Sequence, residues 1–378
     1  MSISLYLYIF VNKNIDLVVT INCGKRKGRL PRMEVVDLFC GIGGLSYGMK
    51  CQGFHIMGGF DIDKTCRFAY EANNESKFFF KDIRKVTGND ISALYSKKCV
   101  RVLAGCAPCQ PFSSYAHTNK EKDPNKYDLL YEFGRLVKEL HPDIVTMENV
   151  PSILNFKLKS VFPDFEHTLR NEGYMVSYKT VFCPNYGIPQ KRKRLVLLAS
   201  RFGEISLLDN TNTPDNYLTV GDTIRDLEPL VAGESSTVDP LHRCRRLTTI
   251  NLRRVHNTPY GGGWKDWPAE LVLDCHKKKS GESFGSVYGR MIWEAPSPTI
   301  TTECTGLGNG RFGHPEQDRA ISIREAALLQ TFPKTYKFFE NENSISILNA
   351  SRYIGNAVPP RLGEVIAKSI KNHIRDNQ

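Results

Sequence analysis

Two cysteines three positions apart, Cys106 and Cys109, lie in the stretch GCAPCQPFSS and could carry out sulfur chemistry. Two cysteines at this spacing can supply half of a zinc site or form a redox disulfide. Alternatively, one of them is a nucleophile and the other takes no part in the reaction. No second Cys-x-x-Cys motif or histidine pair at ligand spacing exists, which argues against zinc. A redox motif of this kind should begin a helix, whereas Pro111 and a polar run follow here. Cys106 fits a small core residue and Cys109 does not, so a redox pair and a single reactive Cys109 both stay open.

The polar run over residues 112–127 is predicted to be a mobile loop of the kind that closes over a substrate. Further along, MENV places Glu148 between the apolar residues Val145 and Val150. A carboxyl group that leaves a buried strand edge is either paired or functional. Glu148 is therefore a candidate site residue.

The basic run QKRKR supplies Gln190, Arg192 and Arg194, in alternating directions, just before another apolar strand. Taken alone, such a run favours a solvated basic turn. It becomes a candidate part of a reactive site only when it is combined with Cys109 and Glu148.

The stretch DLFCGIGGLSYG, residues 37–48, has the pattern of a strand, a glycine-rich turn and a helix start. Glycines there permit close approach of the backbone to a ligand. The third glycine position of the dinucleotide fingerprint is Ser46, so that fingerprint is absent. Asp61 ends the second strand, where a carboxylate can accept hydrogen bonds from ribose hydroxyls. NAD, FAD or S-adenosylmethionine would fit this pattern, and a turn that only aids packing is the alternative.

The stretch KDIRKV adds Asp82, an acceptor for an adenine amino group, and Ile83, which could lie against the adenine ring. By itself, Asp82 is better interpreted as a helix cap.

Short apolar runs alternate with amphipathic stretches from Met33 onward, which is typical of βαβ units and a mostly parallel sheet. Helical periodicity is clear in YDLLYEFGRLVKELHP, which ends at Pro142. The predicted strands are EVVDLF (34–39), HIMGGFDI (55–62), VRVLAG (100–105), DIVTME (143–148) and RLVLLAS (194–200). The fold class is therefore α/β, with the candidate residues at strand ends.

Changes in composition and in the pattern of apolar residues divide the chain into four parts. Residues 1–32 are predicted to be a disordered or non-native extension, with Met33 as the natural start, and 33–202 form the first domain. Residues 203–318 are polar and rich in Gly and Pro, which indicates a smaller, irregular second domain. Residues 319–378 are expected to return to the first domain, because the last helix has an apolar stripe that must pack against something.

The composition is that of an ordinary soluble globular protein, with 41% hydrophobic and 24% charged residues. The 11 cysteines follow no regular spacing, so we expect reduced thiols in a cytoplasmic protein. No apolar run approaches the length of a membrane span. The net charge of +11 makes nucleic acid a reasonable partner.

In chain order, these segments resemble the cytosine-C5 DNA methyltransferases of the bacterial modification type. The resemblance runs from Met33 to about Ile370 through DLFCGIGG, FDID, GCAPCQPFS, MENV, QKRKR, SIREAALLQTFP and IGNAVPP. It implies a Rossmann-like class I methyltransferase sheet with a target-recognition domain inserted at 203–318. It also implies an S-adenosylmethionine pocket lined by Phe39, Gly41, Ile42, Gly43, Gly44, Asp61, Ile62, Asp82, Ile83, Pro108, Leu129, Asn356 and Ala357.

The same resemblance assigns the catalytic roles. Cys109 is expected to attack C6 of cytosine, and Cys106 is a neighbour with a structural role. Glu148 is expected to act at N3 of the base, and Arg194 to hold O2 and orient Glu148, with Arg192 beside them in the basic run. The cytosine must be flipped out of the duplex and held under the 112–127 loop. The sequence identifies no base that removes the C5 proton.

The recognition domain is expected to contact double-stranded DNA through a basic stretch, residues 240–265. A solvated charged face is the alternative interpretation of that stretch. The predicted DNA-binding residues are Gln190, Ser113, Arg243, Arg245, Arg246, Arg253 and Arg254. We expect a monomer without a bound metal. It should be located in the bacterial cytoplasm and associate with the nucleoid when it acts on DNA, and a restriction endonuclease that acts on the same site should accompany it.

The sequence disfavours three other functions. A tRNA cytosine-C5 methyltransferase is disfavoured because the Cys-Phe-Thr tripeptide of that group is absent. A catalytically silent DNA-binding paralogue is disfavoured because Cys109, Glu148 and Arg194 are all present. A thiol redox protein would leave Glu148, QKRKR and the glycine turn unexplained.

Overall fold

A seven-stranded mixed sheet forms the centre of the computed structural model, which describes residues 30–108, 128–155 and 160–377. The strands are β1 (Met33–Leu38), β2 (His55–Asp61), β3 (Phe78–Phe80), β4 (Val100–Gly105), β5 (Ile144–Asn149), β6 (Met175–Phe182) and β7 (Lys193–Ser200). Their order is β3-β2-β1-β4-β5-β7-β6. The first five strands pair in parallel, and β7 runs antiparallel to both β5 and β6. The parallel strands therefore bring their carboxyl ends to one edge of the sheet.

Ten α-helices accompany the sheet in the described residues. They are α1 (Gly44–Cys51), α2 (Arg67–Asn74), α3 (Gly88–Ser92), α4 (Asp128–Leu140), α5 (Val161–Asn171), α6 (Val220–Ile224), α7 (Thr249–His256), α8 (Ile323–Leu329), α9 (Ile347–Asn356) and α10 (Pro360–Asp376). None of the described helices is long and apolar enough to cross a membrane.

The five predicted strands and the α/β class are confirmed. Every residue of β1 and of β5 is buried, as expected for central strands that are covered on both faces. Sequence reasoning missed β3 and β6. The first has only three residues. The second is an edge strand with a single buried residue, Val181, so it shows no apolar run.

The C-terminal helix α10 packs against α1, as its apolar stripe predicted. The two helices approach so closely that a Cβ atom on Gly48 would lie 2.1 Å from the carbonyl oxygen of Pro360. Leu362, Val365, Ile366 and Ile370 are all buried. This contact brings the end of the chain back to the glycine turn that precedes α1.

Residues 203–318 contain two short α-helices and several 3₁₀ turns, in agreement with their irregular sequence. Their apolar side chains join one cluster with residues of the first domain; examples are Ile224, Trp293 and Ile300 together with Ile42 and Tyr70. The domain boundaries at 203 and 318 remain predictions.

Candidate active site

The carboxyl end of β5 carries Glu148, whose strand is held between β4 and β7. Arg194 lies on β7, two residues before Val196, the cross-strand partner of Glu148. Its Nε is 2.8 Å from Glu148 Oε1, with side-chain exposures of 13% and 8%. No donor among the described residues is aligned for a hydrogen bond to that oxygen, so the contact is an ion pair. The oxygen therefore keeps its capacity to accept a hydrogen bond from another group.

Asn149 joins this pair to the segment that leads into Cys109. Its Nδ2 donates to the carbonyl oxygen of Ala107 at 3.1 Å, and its Oδ1 accepts from the Val150 amide at 2.8 Å. The end of β5 is thereby tied to residues 106–108, the CAP segment, which follow β4. Sequence reasoning did not assign a role to Asn149, although a buried amide directly after Glu148 in MENV was a usable signal.

Cys106 directly follows β4, and its amide donates to the carbonyl oxygen of Leu38 at 3.2 Å. Burial of its thiol, followed by the nearby charges of Glu148 and Asp37, raises its pKa well above the usual range. Cys106 is therefore held as a neutral thiol, a poor nucleophile. Cys109, Ser113 and the rest of the predicted loop lie outside the described residues.

The glycine turn after β1 provides an open backbone surface. Phe39, Gly41 and Gly43 all have positive φ values, of 58°, 51° and 87°. A Cβ on Gly41 would meet nothing within 4 Å, whereas one on Gly43 would lie 2.2 Å from Asn74 Nδ2. Gly43 is thus required for packing, and Gly41 leaves space at the edge of the sheet where a ligand could approach.

Asp61 holds this turn from the end of β2. Its Oδ2 accepts a hydrogen bond from the Gly41 amide and its Oδ1 accepts one from the Asp63 amide, both at 2.8 Å. Burial raises the pKa of this carboxyl above its ordinary value. Each oxygen still has a lone pair for a ligand hydroxyl. Ile62 beside it is 65% exposed, an apolar side chain available to a flat ligand.

A second buried carboxyl, Asp37, lies beneath the glycine turn in β1. Its Oδ2 accepts a hydrogen bond from Ser46 Oγ at 2.6 Å, while its Oδ1 has no partner in the described part of the chain. Burial raises the pKa of Asp37 to about 7, with a smaller contribution from the charge of Asp61. Sequence reasoning did not single out Asp37, although an acid inside the apolar run EVVDLF was a signal.

The other predicted cofactor residues border the same edge with different exposures. Asp82 caps a 3₁₀ turn by accepting from the Arg84 amide at 3.0 Å, and its ion pair with that side chain lowers its pKa. Ile83 is buried in the core, so most of its surface is already covered. Pro108, Leu129 and Ala357 are half-buried, Asn356 is exposed, and Ile42 and Gly44 are buried.

Two predicted site residues are placed differently from the prediction. Gln190 is fully buried and its amide is used inside the protein, so this structure gives it no access to DNA. Arg192 is also buried, and its guanidinium donates to the carbonyl oxygen of Ile300 at 3.0 Å rather than pairing with Glu148. Among the three residues predicted in QKRKR, it is Arg194 that the structure places beside Glu148.

The predicted DNA-binding arginines fall into two groups. Arg246 and Arg253 are exposed. The other three make intramolecular contacts: Arg243 donates to the Pro240 carbonyl, Arg245 lies 3.7 Å from Glu303, and Arg254 donates to the Leu271 carbonyl. No cluster of three or more potential metal ligands exists among the described residues.

Comparisons with known proteins agree with this architecture. Residues 33–372 match the family model for C-5 cytosine-specific DNA methylases. The chain is 52% identical over 340 residues to the Type II methylase M.HgiDII of Herpetosiphon aurantiacus, covering 90% of this chain and 95% of that protein. It is 30% identical to the Type II methyltransferase M1.BsuMI of Bacillus subtilis, over 89% of this chain and 79% of that protein.

Solved structures share the fold. A structure described as a prophage-encoded DNA modification methyltransferase from E. coli superposes with a TM-score of 0.68 at 21% identity, covering 90% of this chain and 99% of that one. A Spodoptera frugiperda DNMT2 mutant gives a TM-score of 0.61 at 17% identity, over 89% of this chain and 99% of that one. With the family match over residues 33–372, the chain belongs to the C-5 cytosine-specific DNA methylases and is a DNA (cytosine-5-)-methyltransferase.

Proposed function

We propose that this enzyme methylates C5 of cytosine within one short double-stranded DNA sequence, using S-adenosylmethionine, as the modification enzyme of a bacterial restriction–modification system. The observation that carries the proposal is the Glu148–Arg194 pair. It is nearly buried and lies beside the CAP segment, and one carboxylate oxygen has no aligned donor within the described residues. A cytosine presents a ring nitrogen and a carbonyl oxygen that suit a carboxyl group and a guanidinium held side by side.

The chemistry begins with activation of a poor nucleophile. The Cys109 thiolate adds to C6 of the cytosine, which places electron density on C5. Glu148 hydrogen-bonds at N3 and stabilises the charge that develops there, while Arg194 holds O2 and keeps the carboxyl oriented. Once C5 carries the methyl group, loss of the C5 proton breaks the Cys109–C6 bond and restores the ring. Cys106, kept neutral by burial, takes no part in these bond changes.

The residues at the carboxyl ends of β1 and β2 fit S-adenosylmethionine, which supplies an electrophilic methyl group when bound. The open backbone at Gly41 leaves space, and the Asp61 carboxylate can accept from ribose hydroxyls. Exposed Ile62 offers an apolar surface to the adenine. Asp82, Ile83 and Asn356 would complete the pocket.

A cytosine stacked in a duplex cannot reach Glu148, so the base must be flipped out, at a cost of a few kcal/mol. The DNA backbone would be held by exposed cations of residues 203–318, of which Arg246 and Arg253 are the best placed by exposure. Relatives named as Type II methylases support the restriction–modification setting. A restriction endonuclease of the same site, the bacterial cytoplasm and a monomeric enzyme follow as parts of the proposal.

The test is transfer of labelled methyl groups from S-adenosylmethionine to unmethylated DNA, to tRNA, and to a control without nucleic acid. Bisulfite sequencing of the methylated DNA then locates the product. Label at cytosine C5 in one short DNA context is the expected result. Label confined to tRNA, or absent from both nucleic acids, would overturn the proposal.

A further inference from the structure

The segment 190–194 makes more buried contacts than a basic turn needs. Gln190 is 0% exposed, and its Oε1 accepts from the Ile300 amide at 2.8 Å. Its Nε2 donates to the Leu329 carbonyl at 3.2 Å and also to Gln330 Oε1. Gln190 therefore joins the chain before β7 to two segments that are more than 100 residues away.

Arg192 makes a similar set of contacts with a charged group. Its Nη1 donates to the Ile300 carbonyl at 3.0 Å, and its Nη2 lies 3.4 Å and 3.5 Å from the carbonyl oxygens of Gly355 and Ala357. Burying a guanidinium is unfavourable unless its donors are satisfied, and the planar fork suits several carbonyl groups in fixed directions. Carbonyl groups from two distant segments thus converge on one guanidinium.

The segments that meet here are themselves in contact. The Lys191 amide donates to the Ser297 carbonyl at 2.7 Å. Gln330 Nε2 donates to the Ala357 carbonyl at 2.7 Å. A Cβ on Gly355 would lie only 2.2 Å from the backbone carbon of Thr301, so the end of α9 rests directly on residues 301–302. We call this set of contacts around Gln190 and Arg192 the junction.

The junction connects three functional parts of the proposed enzyme. Residues 297–302 belong to the predicted recognition domain, and 355–357 include Asn356 of the predicted cofactor pocket. Arg194, two residues beyond Arg192, pairs with Glu148 at 2.8 Å. A short segment thus links the DNA-reading part, the cofactor side and the catalytic carboxyl.

We propose that Gln190 and Arg192 are positioning residues that hold residues 297–302 and the end of α9 in register with the Arg194–Glu148 pair. This inference rests on the proposed function. DNA held on the recognition domain is placed correctly over Glu148 only while the junction is intact. A displacement of about 1 Å is enough to slow a reaction about 100-fold, without removing any group that contacts DNA.

The experiment compares Arg192→Lys, Gln190→Met and the double variant with wild type and with Lys193→Ala. Lys193 is exposed in the same segment, so its variant controls for loss of a nearby charge. Single-turnover methylation, affinity for a duplex carrying the wild-type methylation site, and thermal unfolding are measured for each protein. Only variants whose circular dichroism spectrum shows the secondary structure of wild type are compared.

The expected result is a methylation rate lowered by about 100-fold in Arg192→Lys, with duplex affinity close to that of Lys193→Ala. The double variant should lose less than the product of the single losses, because both residues hold one junction. Wild-type rates in both single variants would overturn the inference, as would loss of duplex affinity in parallel with rate. If wild type and Lys193→Ala do not methylate DNA, the proposed function fails instead.

Discussion

Replacement of Asp37 by Asn should change how the stability of the protein depends on pH. Asp37 is fully enclosed in β1, and burial raises its pKa from 3.8 to about 7. A folded-state pKa above the unfolded value means that the folded state binds more protons between the two values. The free energy of unfolding that the protonated carboxyl contributes is therefore lost as the pH rises toward 7. Above pH 7 the folded protein bears the full cost of ionising the buried Asp37.

The magnitude follows from the shift itself. Ionising Asp37 in the folded protein costs about 4 kcal/mol relative to the unfolded chain, and about 2 to 3 kcal/mol of this develops between pH 5 and pH 8. Asn cannot ionise, so the free energy of unfolding of the variant, relative to wild type, should rise by that amount over this range. A constant cost of about 1 to 3 kcal/mol for the new buried amide donor does not alter the change with pH.

The assay is equilibrium urea unfolding of both proteins at pH 5, 6, 7 and 8, followed by tryptophan fluorescence. Asp226→Asn serves as the matched control, because this carboxylate is exposed and its replacement removes one negative charge without opening the core. A difference between Asp37→Asn and wild type that stays constant from pH 5 to pH 8 would refute the reasoning from burial.

Three further predictions concern the proposed reaction. Cys109→Ala should abolish methyl transfer while leaving DNA binding, and Cys106→Ala should keep most of the activity because that thiol is held neutral. Loss of methyl transfer in Cys106→Ala with full activity in Cys109→Ala would make Cys106 the nucleophile instead. Glu148→Gln should lower kcat/KM by about 100- to 10,000-fold, the range of positioned acid–base groups, and an unchanged value would remove Glu148 from the mechanism. Arg253→Ala should reduce the slope of log affinity against log salt by about 0.9, one phosphate contact. A salt titration with the same slope as wild type would exclude that contact.

The fold and the central chemistry could be predicted from the chain because their signals are local. Apolar runs such as VRVLAG are buried strands in any sheet covered on both faces, and all five predicted strands are present. The carboxyl ends of parallel strands meet at one edge, so Asp61 could be placed beside the glycine turn before its hydrogen bond to the Gly41 amide was seen. Glu148 and Arg194 could be paired from the resemblance to the family motifs, whereas the antiparallel contact of β5 with β7 that brings them together came only from the structure.

The direction of the polar side chains was decided by tertiary contacts. Gln190 and Arg192 look like an exposed basic turn in sequence, yet both are buried because acceptors from residues 300, 329 and 355 surround them. The raised pKa of Asp37 arises in the same way, from side chains that enclose it after folding. Residue types and strand pattern are properties of neighbouring positions, whereas burial and hydrogen-bond partners depend on segments more than 100 residues apart. The sequence by itself therefore determined which groups could react, and only the tertiary structure determined which groups reach the site and which hold it together.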